Sequence, residues 1–138
     1  MSHTFLPHLL SDVATAIVKV TERRLGYTES EIRVLMAMGE IREATPTAVA
    51  RAANLTKVEV SRVVARLISA QLVSSKTSSQ DGRVRLLRLT RKGAAALTAI
   101  TSKSADIQHE LLDVLVPREA AVLLAALGKL QATAAAGE

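Results

Sequence analysis

The chain contains no cysteine and no tryptophan, and only one Phe and one Tyr among its 138 residues. Without cysteine there is no disulfide, no thiolate metal site and no thiol-based redox switch. Hydrophobic residues make up 49% of the chain, yet aromatics supply almost none of them. The core must therefore be built from Leu, Val, Ile and Ala, which favours helices. The longest purely apolar run, Ala120 to Leu127, is too short to span a bilayer. The first lysine comes at Lys19, so the cationic leader of a secretory signal is not expected, and a cytoplasmic protein with no membrane partner is. No Gly-rich phosphate loop and no nucleophile–His–acid pattern can be recognised, so neither an enzyme nor a cofactor is expected. There is no internal repeat or low-complexity linker. A chain of this length buries about two thirds of its surface on folding, enough for one real core.

What is present is positive charge, unevenly placed. The net charge is +5. Between Arg51 and Lys92 there are ten Lys or Arg against two acids, Glu59 and Asp81, a local +8, and the remainder carries −3. A cationic segment inside an acidic remainder is the footprint expected for polyanion binding. A solvated basic face is the plainer alternative.

The segment from Thr45 to Gly93 gives that charge a shape. Thr45-Pro46 is a helix start: a hydroxyl that accepts from free backbone N–H groups, then a residue whose φ is already helical. The helix is predicted to run to about Ala53, where Asn54 tolerates the left-handed conformation that stops it. Thr56, with Glu59 three residues on, is a capping box that opens a second helix. Val60, Val63, Val64 and Leu67 share its inner face, while Lys57, Ser61, Arg62 and Arg66 fall largely elsewhere. Two helices at a tight turn, the second polar and basic, form the helix–turn–helix arrangement that places its second helix in the DNA major groove. A hairpin follows. Asp81-Gly82 signals a two-residue type I′ turn between arms Val73 to Gln80 and Arg83 to Leu89. Val84 and Leu86 point one way, and Arg85, Leu87 and Leu89 the other. Lys76, Arg83, Arg85 and Arg88 make the hairpin basic, suited to phosphates or the minor groove.

These residues resemble the MarR family of winged-helix transcription regulators. The motif D-x-R followed after six residues by Leu-Thr stands here as Asp81, Arg83, Leu89 and Thr90, with Lys92-Gly93 after it. The run Ser61 to Leu67 is similar to the family's recognition-helix core, and TPTAVA to the start of the preceding helix. The resemblance covers nearly the whole chain. It implies that Arg83 enters the minor groove at the wing tip, helped by Asp81, and that Ser61 and Arg62 lead the major-groove contacts. Lys57, Arg66 and Arg85 join them; phosphate contact alone is an equal alternative for Arg62 and the preferred reading for Arg66, and Arg85 is a backbone contact or a solvated wing residue. Lys76, Arg88 and Lys92 are the weaker candidates. Asn54 stands where the family's turn commonly has Gly. Gln71 stands where Gly commonly ends the recognition helix, and a left-handed Gln costs about 1 kcal/mol.

The flanking segments read as helices. Leu6, Leu9, Leu10, Val13, Ile17, Val20 and Leu25 form a stripe that Gly26 ends. Thr28 and Glu31 make another capping box, Tyr27 staples against Ile32, and Ile32, Leu35 and Met36 point inward over a helix from Glu29 to about Gly39. Glu40 to Ala44 connects. Thr90 caps a long helix carrying Leu97, Ile100, Ile107, Leu111 and Leu115. Pro117 starts the last helix, with Val122, Leu123, Leu127 and Leu130 apolar and a frayed end from Ala132. The expected fold is mainly α with a small β-hairpin wing: a winged helix–turn–helix lobe over residues 28–93, and helices over 1–27 and 94–138. The resemblance implies that these helices interlock with a second copy and that an effector, often a small anionic aromatic, binds between them and the lobe. Met36 and Met38 are candidates for such a pocket, though core is the commoner fate of Met at helical spacing. A symmetric dimer would set two recognition helices about 34 Å apart on a near-palindromic duplex. His8–Asp12 and His109–Asp113 have i, i+4 spacing, but such pairs are surface interactions more often than metal sites, and His3 stands alone. Two readings remain: a sequence-specific, ligand-responsive homodimeric repressor, or a winged-helix dimer that binds protein or DNA without sequence preference.

Overall fold

A computed structural model describes residues 5–78, 80 and 82–137. The element order is α1 (Leu6–Leu25), α2 (Glu29–Glu40), α3 (Pro46–Ala53), α4 (Lys57–Ser69), β1 (Val73–Thr77), β2 (Arg85–Leu89), α5 (Arg91–Leu112) and α6 (Pro117–Ala136). The chain divides into two compact units, one reaching Lys103 and the other starting at Ser104, with the boundary inside α5.

In the first unit, helices α2, α3 and α4 pack on one another, and β1 and β2 close against them. The core is aliphatic. Val34, Leu35, Val49, Val60, Val63, Leu67 and Leu87 are essentially without solvent contact, each such side chain stabilising the fold by about 1.5–3 kcal/mol. Helix starts and stops follow local chemistry. Thr28 accepts from the Glu31 N–H at 3.2 Å while Glu31 accepts from the Thr28 N–H at 2.8 Å, closing the box that opens α2. Gly26 ends α1 at φ +80°, a conformation that costs glycine nothing. Within α2, Val34, Ala37 and Met38 join Ile32 and Leu35 inside, whereas Met36, placed inward by the sequence reading, is 38% exposed. The spacing of Ile32, Leu35 and Met36 describes one edge of a broader buried face.

The strands pair in a register other than the one a two-residue turn at Asp81-Gly82 would set. The observed register pairs Val73 with Leu89, Ser75 with Leu87 and Thr77 with Arg85, and Ser78 N–H donates to Val84 O at 2.8 Å. A two-residue Asp81-Gly82 turn would set Gln80 opposite Arg83, one residue out of this register. Asp81 itself lies outside the described residues. Burial explains the choice. The observed register puts Val73, Leu87 and Leu89 on the same face, and Val73 and Leu87 are buried. A one-residue slip would turn Val73 away from the two leucines. Leu87 is also held by paired backbone hydrogen bonds with Ala44, at 3.1 and 2.7 Å, so the connector supplies a single bridge the sequence did not reveal.

Helix α5 ends at Leu112, so Leu115 lies beyond it rather than extending its spacing. The Glu119 carboxylate accepts from Val116 N–H at 3.0 Å at the start of α6. That helix continues to Ala136, past the fraying expected from Ala132; a run of Ala carries high helix propensity. No residue of α6 is buried, and the helix is long and apolar enough, by length and composition, to cross a membrane. Helix α1 exposes Leu6, Leu9, Leu10, Val13 and Ile17.

Candidate nucleic-acid interface

Helix α3 stops at Asn54, whose φ of +55° and ψ of +49° turn the chain. Leu55 N–H then donates to Ala50 O at 3.0 Å. Two residues later α4 begins on its capping box. Thr56 Oγ1 accepts from Glu59 N–H at 3.1 Å, and the Glu59 carboxylate accepts from Thr56 N–H at 2.7 Å. The Thr56 backbone N–H and then its side chain hold the Glu59 carboxyl below the usual carboxylate value against an opposing effect of desolvation, with Arg62 one turn further on adding the least. The orientation of α4 is thereby set from its first residue.

Helix α4 buries Val60, Val63, Val64 and Leu67. Its opposite side leaves Lys57, Val58, Ser61, Arg62, Ala65, Arg66 and Ser69 exposed. At 100° per residue the middle of that surface is Val58, Arg62, Ala65 and Ser69, with Lys57 and Arg66 on its two flanks. Arg66 leans toward α2, its Nε 3.8 Å from the Glu31 carboxylate. Arg62 is thus the cation at the centre. Val58, Ala65 and Ser69, which carry no charge and are not among the residues predicted from sequence, share that exposed surface. They lie at i−4, i+3 and i+7 from Arg62, a row that the helical period makes visible in the sequence.

The far end of α4 is where Gln71 replaces the usual glycine. Gln71 does adopt the left-handed conformation, with φ +64°. Its N–H donates to Ile68 O and the Leu72 N–H to Leu67 O, each at 2.9 Å, so the turn closes the last helical carbonyls. The start of α5 closes the next ones. Lys92 Nζ donates to Ala70 O at 3.1 Å, Thr90 Oγ1 to Gln71 O at 2.7 Å, and Thr90 N–H to Leu72 O at 3.0 Å. Thr90 Oγ1 also accepts from Gly93 N–H at 2.9 Å, capping α5. A Cβ on Gly93 would overlap the Leu72 carbonyl. The Leu-Thr-x-Lys-Gly sequence therefore clamps the end of α4 to the start of α5, with Lys92 Nζ as one of the donors.

On the wing, Arg83, Arg85 and Arg88 are exposed. Arg85 Nε donates to Ser75 Oγ at 3.1 Å across the ladder, and Lys76 lies 3.6 Å from the Glu43 carboxylate. Asp81 and His3 lie outside the described residues. His8 sets its ring edge-on against Phe5, centroids 4.7 Å apart.

A helix–turn–helix whose second helix presents cations and small side chains, followed by a basic hairpin, defines a winged helix–turn–helix protein. Residues 25–84 match the sequence model of the MarR family. Solved structures share the fold. A probable transcriptional regulator from Pseudomonas aeruginosa superposes with a TM-score of 0.87 at 21% identity, over 94% of this chain and 99% of that one. A mutant of MarR from E. coli, complexed with operator DNA, gives 0.82 at 24% identity, over 91% of this chain and 92% of that one. BpsR of Bordetella bronchiseptica, whose DNA binding is regulated by 6-hydroxynicotinic acid, gives 0.81 at 22% identity, over 91% and 98%. No curated protein matches the chain.

Proposed function

We propose that the chain is a sequence-specific double-stranded DNA-binding regulator, a homodimeric repressor that responds to a small ligand. The observation that carries the reading is the exposed face of α4, centred on Arg62, next to a hairpin bearing Arg83, Arg85 and Arg88. In this reading Lys57, Ser61 and Arg62 enter the major groove, Arg66 and Arg85 contact phosphates, and the wing tip with Arg83 and Asp81 reaches the minor groove. Residues 28–93 act as the reading head and residues 1–27 and 94–138 as the dimerisation region. The exposed apolar residues of α1 and of α6 support a second copy as their cover. A ligand would act by unequal affinity for two spacings of the reading heads.

Selection of bound sequences from a random duplex pool tests the reading. The expected product is a near-palindrome with half-sites one helical turn apart. On that duplex, Arg83→Ala should weaken binding and lower the slope of log affinity against log salt by about one. Recovery of no sequence preference would favour the non-specific binder. An unchanged slope would remove the wing from the interface.

A further inference from the structure

Val58 has no part in the core and none in the charge pattern. It lies in the first turn of α4, its side chain 60% exposed, although a β-branched apolar residue ordinarily favours burial. It stands one helical turn before Arg62 on the middle of the exposed face, with Ala65 and Ser69 continuing the row. The capping box of Thr56 and Glu59 brackets it and fixes the backbone on both sides. In a helix the valine side chain is held almost entirely in one rotamer, so its two methyl groups project in a set direction at little entropic cost.

We propose that Val58 is a specificity-determining residue that reads the 5-methyl group of a thymine in the major groove. The inference rests on α4 being the DNA-reading helix. Residues at the start of such a helix reach base edges. The thymine methyl is the apolar group that the major groove offers, and no hydrogen-bonding edge would reward a valine there. Arg62 supplies the complementary charge that brings the duplex onto this face, and its fork pairs with guanine O6 and N7. Four residues of helix advance about 6 Å, and stacked base pairs about 3.4 Å. The thymine is therefore placed within about two base-pair steps of the guanine read by Arg62.

The test uses the duplex selected by the parent protein and replaces each thymine of a half-site with uracil, which removes the methyl group and nothing else. One replacement near the guanine should weaken parent binding about fourfold, the worth of one buried methyl. The same replacement should cost Val58→Ala nothing, and Val58→Thr, which keeps one methyl and the side-chain shape, should fall between. Val58 is exposed, so both variants should fold, checked by unchanged melting. A uracil scan without effect on the parent, or an equal effect on parent and Val58→Ala, overturns the proposal while leaving DNA binding by α4 intact. Failure of the parent to select any duplex overturns both.

Discussion

At the scale of single residues, the most informative group is Glu59, because it performs a local task with a charge. Its carboxylate accepts from the Thr56 N–H at 2.7 Å, and that bond holds its pKa below the ordinary 4.5. A depressed carboxyl contributes stability that is complete above its unfolded value and is lost as pH falls through the folded one. Glu59→Gln keeps a hydrogen-bonding side chain at that position but cannot ionise. The melting temperatures of parent and Glu59→Gln should therefore differ at pH 7 and converge as pH falls below about 4. A constant difference across that range would assign the effect to packing instead. This capping box was legible from Thr56 and Glu59 alone, since its chemistry is confined to three residues' separation. Gln71 was legible too, as a left-handed residue at the end of α4. What the sequence could not show was its compensation by Thr90 and Lys92, across hydrogen bonds that span nineteen and twenty-two residues.

At the scale of elements, helices were legible and the hairpin was legible only in outline. Boundaries marked by a local signal, such as Thr45-Pro46, Thr56 or Gly26, fall where that signal places them. The end of α5 is bounded only by Pro117, and the helix stops at Leu112, before that proline and short of Leu115. The hairpin register is decided by Val73 and Leu87 finding the same buried face, a contest between distant parts of the chain that outweighs Asp81-Gly82. The candidate interface was half legible. Reading for charge found Arg62 but passed over Val58, because exposure of an apolar side chain is visible only once the helix is packed. The clamp between α4 and α5 yields a prediction of its own. In Gly93→Ala the new methyl meets the Leu72 carbonyl, a backbone atom that cannot rotate aside. The substitution should cost about 1–3 kcal/mol of stability in denaturant unfolding, as overpacking does. In the fraction that remains folded, the end of α4 must shift, so affinity for the selected duplex should fall as well. A variant with the parent's unfolding midpoint would show that the clamp is dispensable.

At the scale of the whole molecule, the question is what covers the exposed apolar residues of α1 and α6. A bilayer would suit α6 by length and composition, but α6 carries Arg118, Glu119 and Lys129. Helix α1 argues further against lipid. Leu6, Leu9, Leu10, Val13 and Ile17 recur at helical spacing on one side, while Asp12, Lys19 and Arg23 interrupt the same stretch. A one-sided stripe matches another amphipathic protein surface. A second copy satisfies that need and also supplies the second reading head that a near-palindromic duplex would engage. Val13, 49% exposed and midway along the stripe, is the residue to change. Val13→Glu adds a charge where the isolated chain is already open to water, so the fold should persist, with helical circular dichroism like the parent's. In a symmetric pair the charge enters the interface twice, and each unpaired buried carboxylate costs several kcal/mol. Sedimentation at micromolar concentration should therefore give the dimer mass for the parent and the single-chain mass for Val13→Glu. Affinity for the full duplex should fall in the variant toward that of one half-site. A parent that sediments at the single-chain mass would show that α1 meets some other partner.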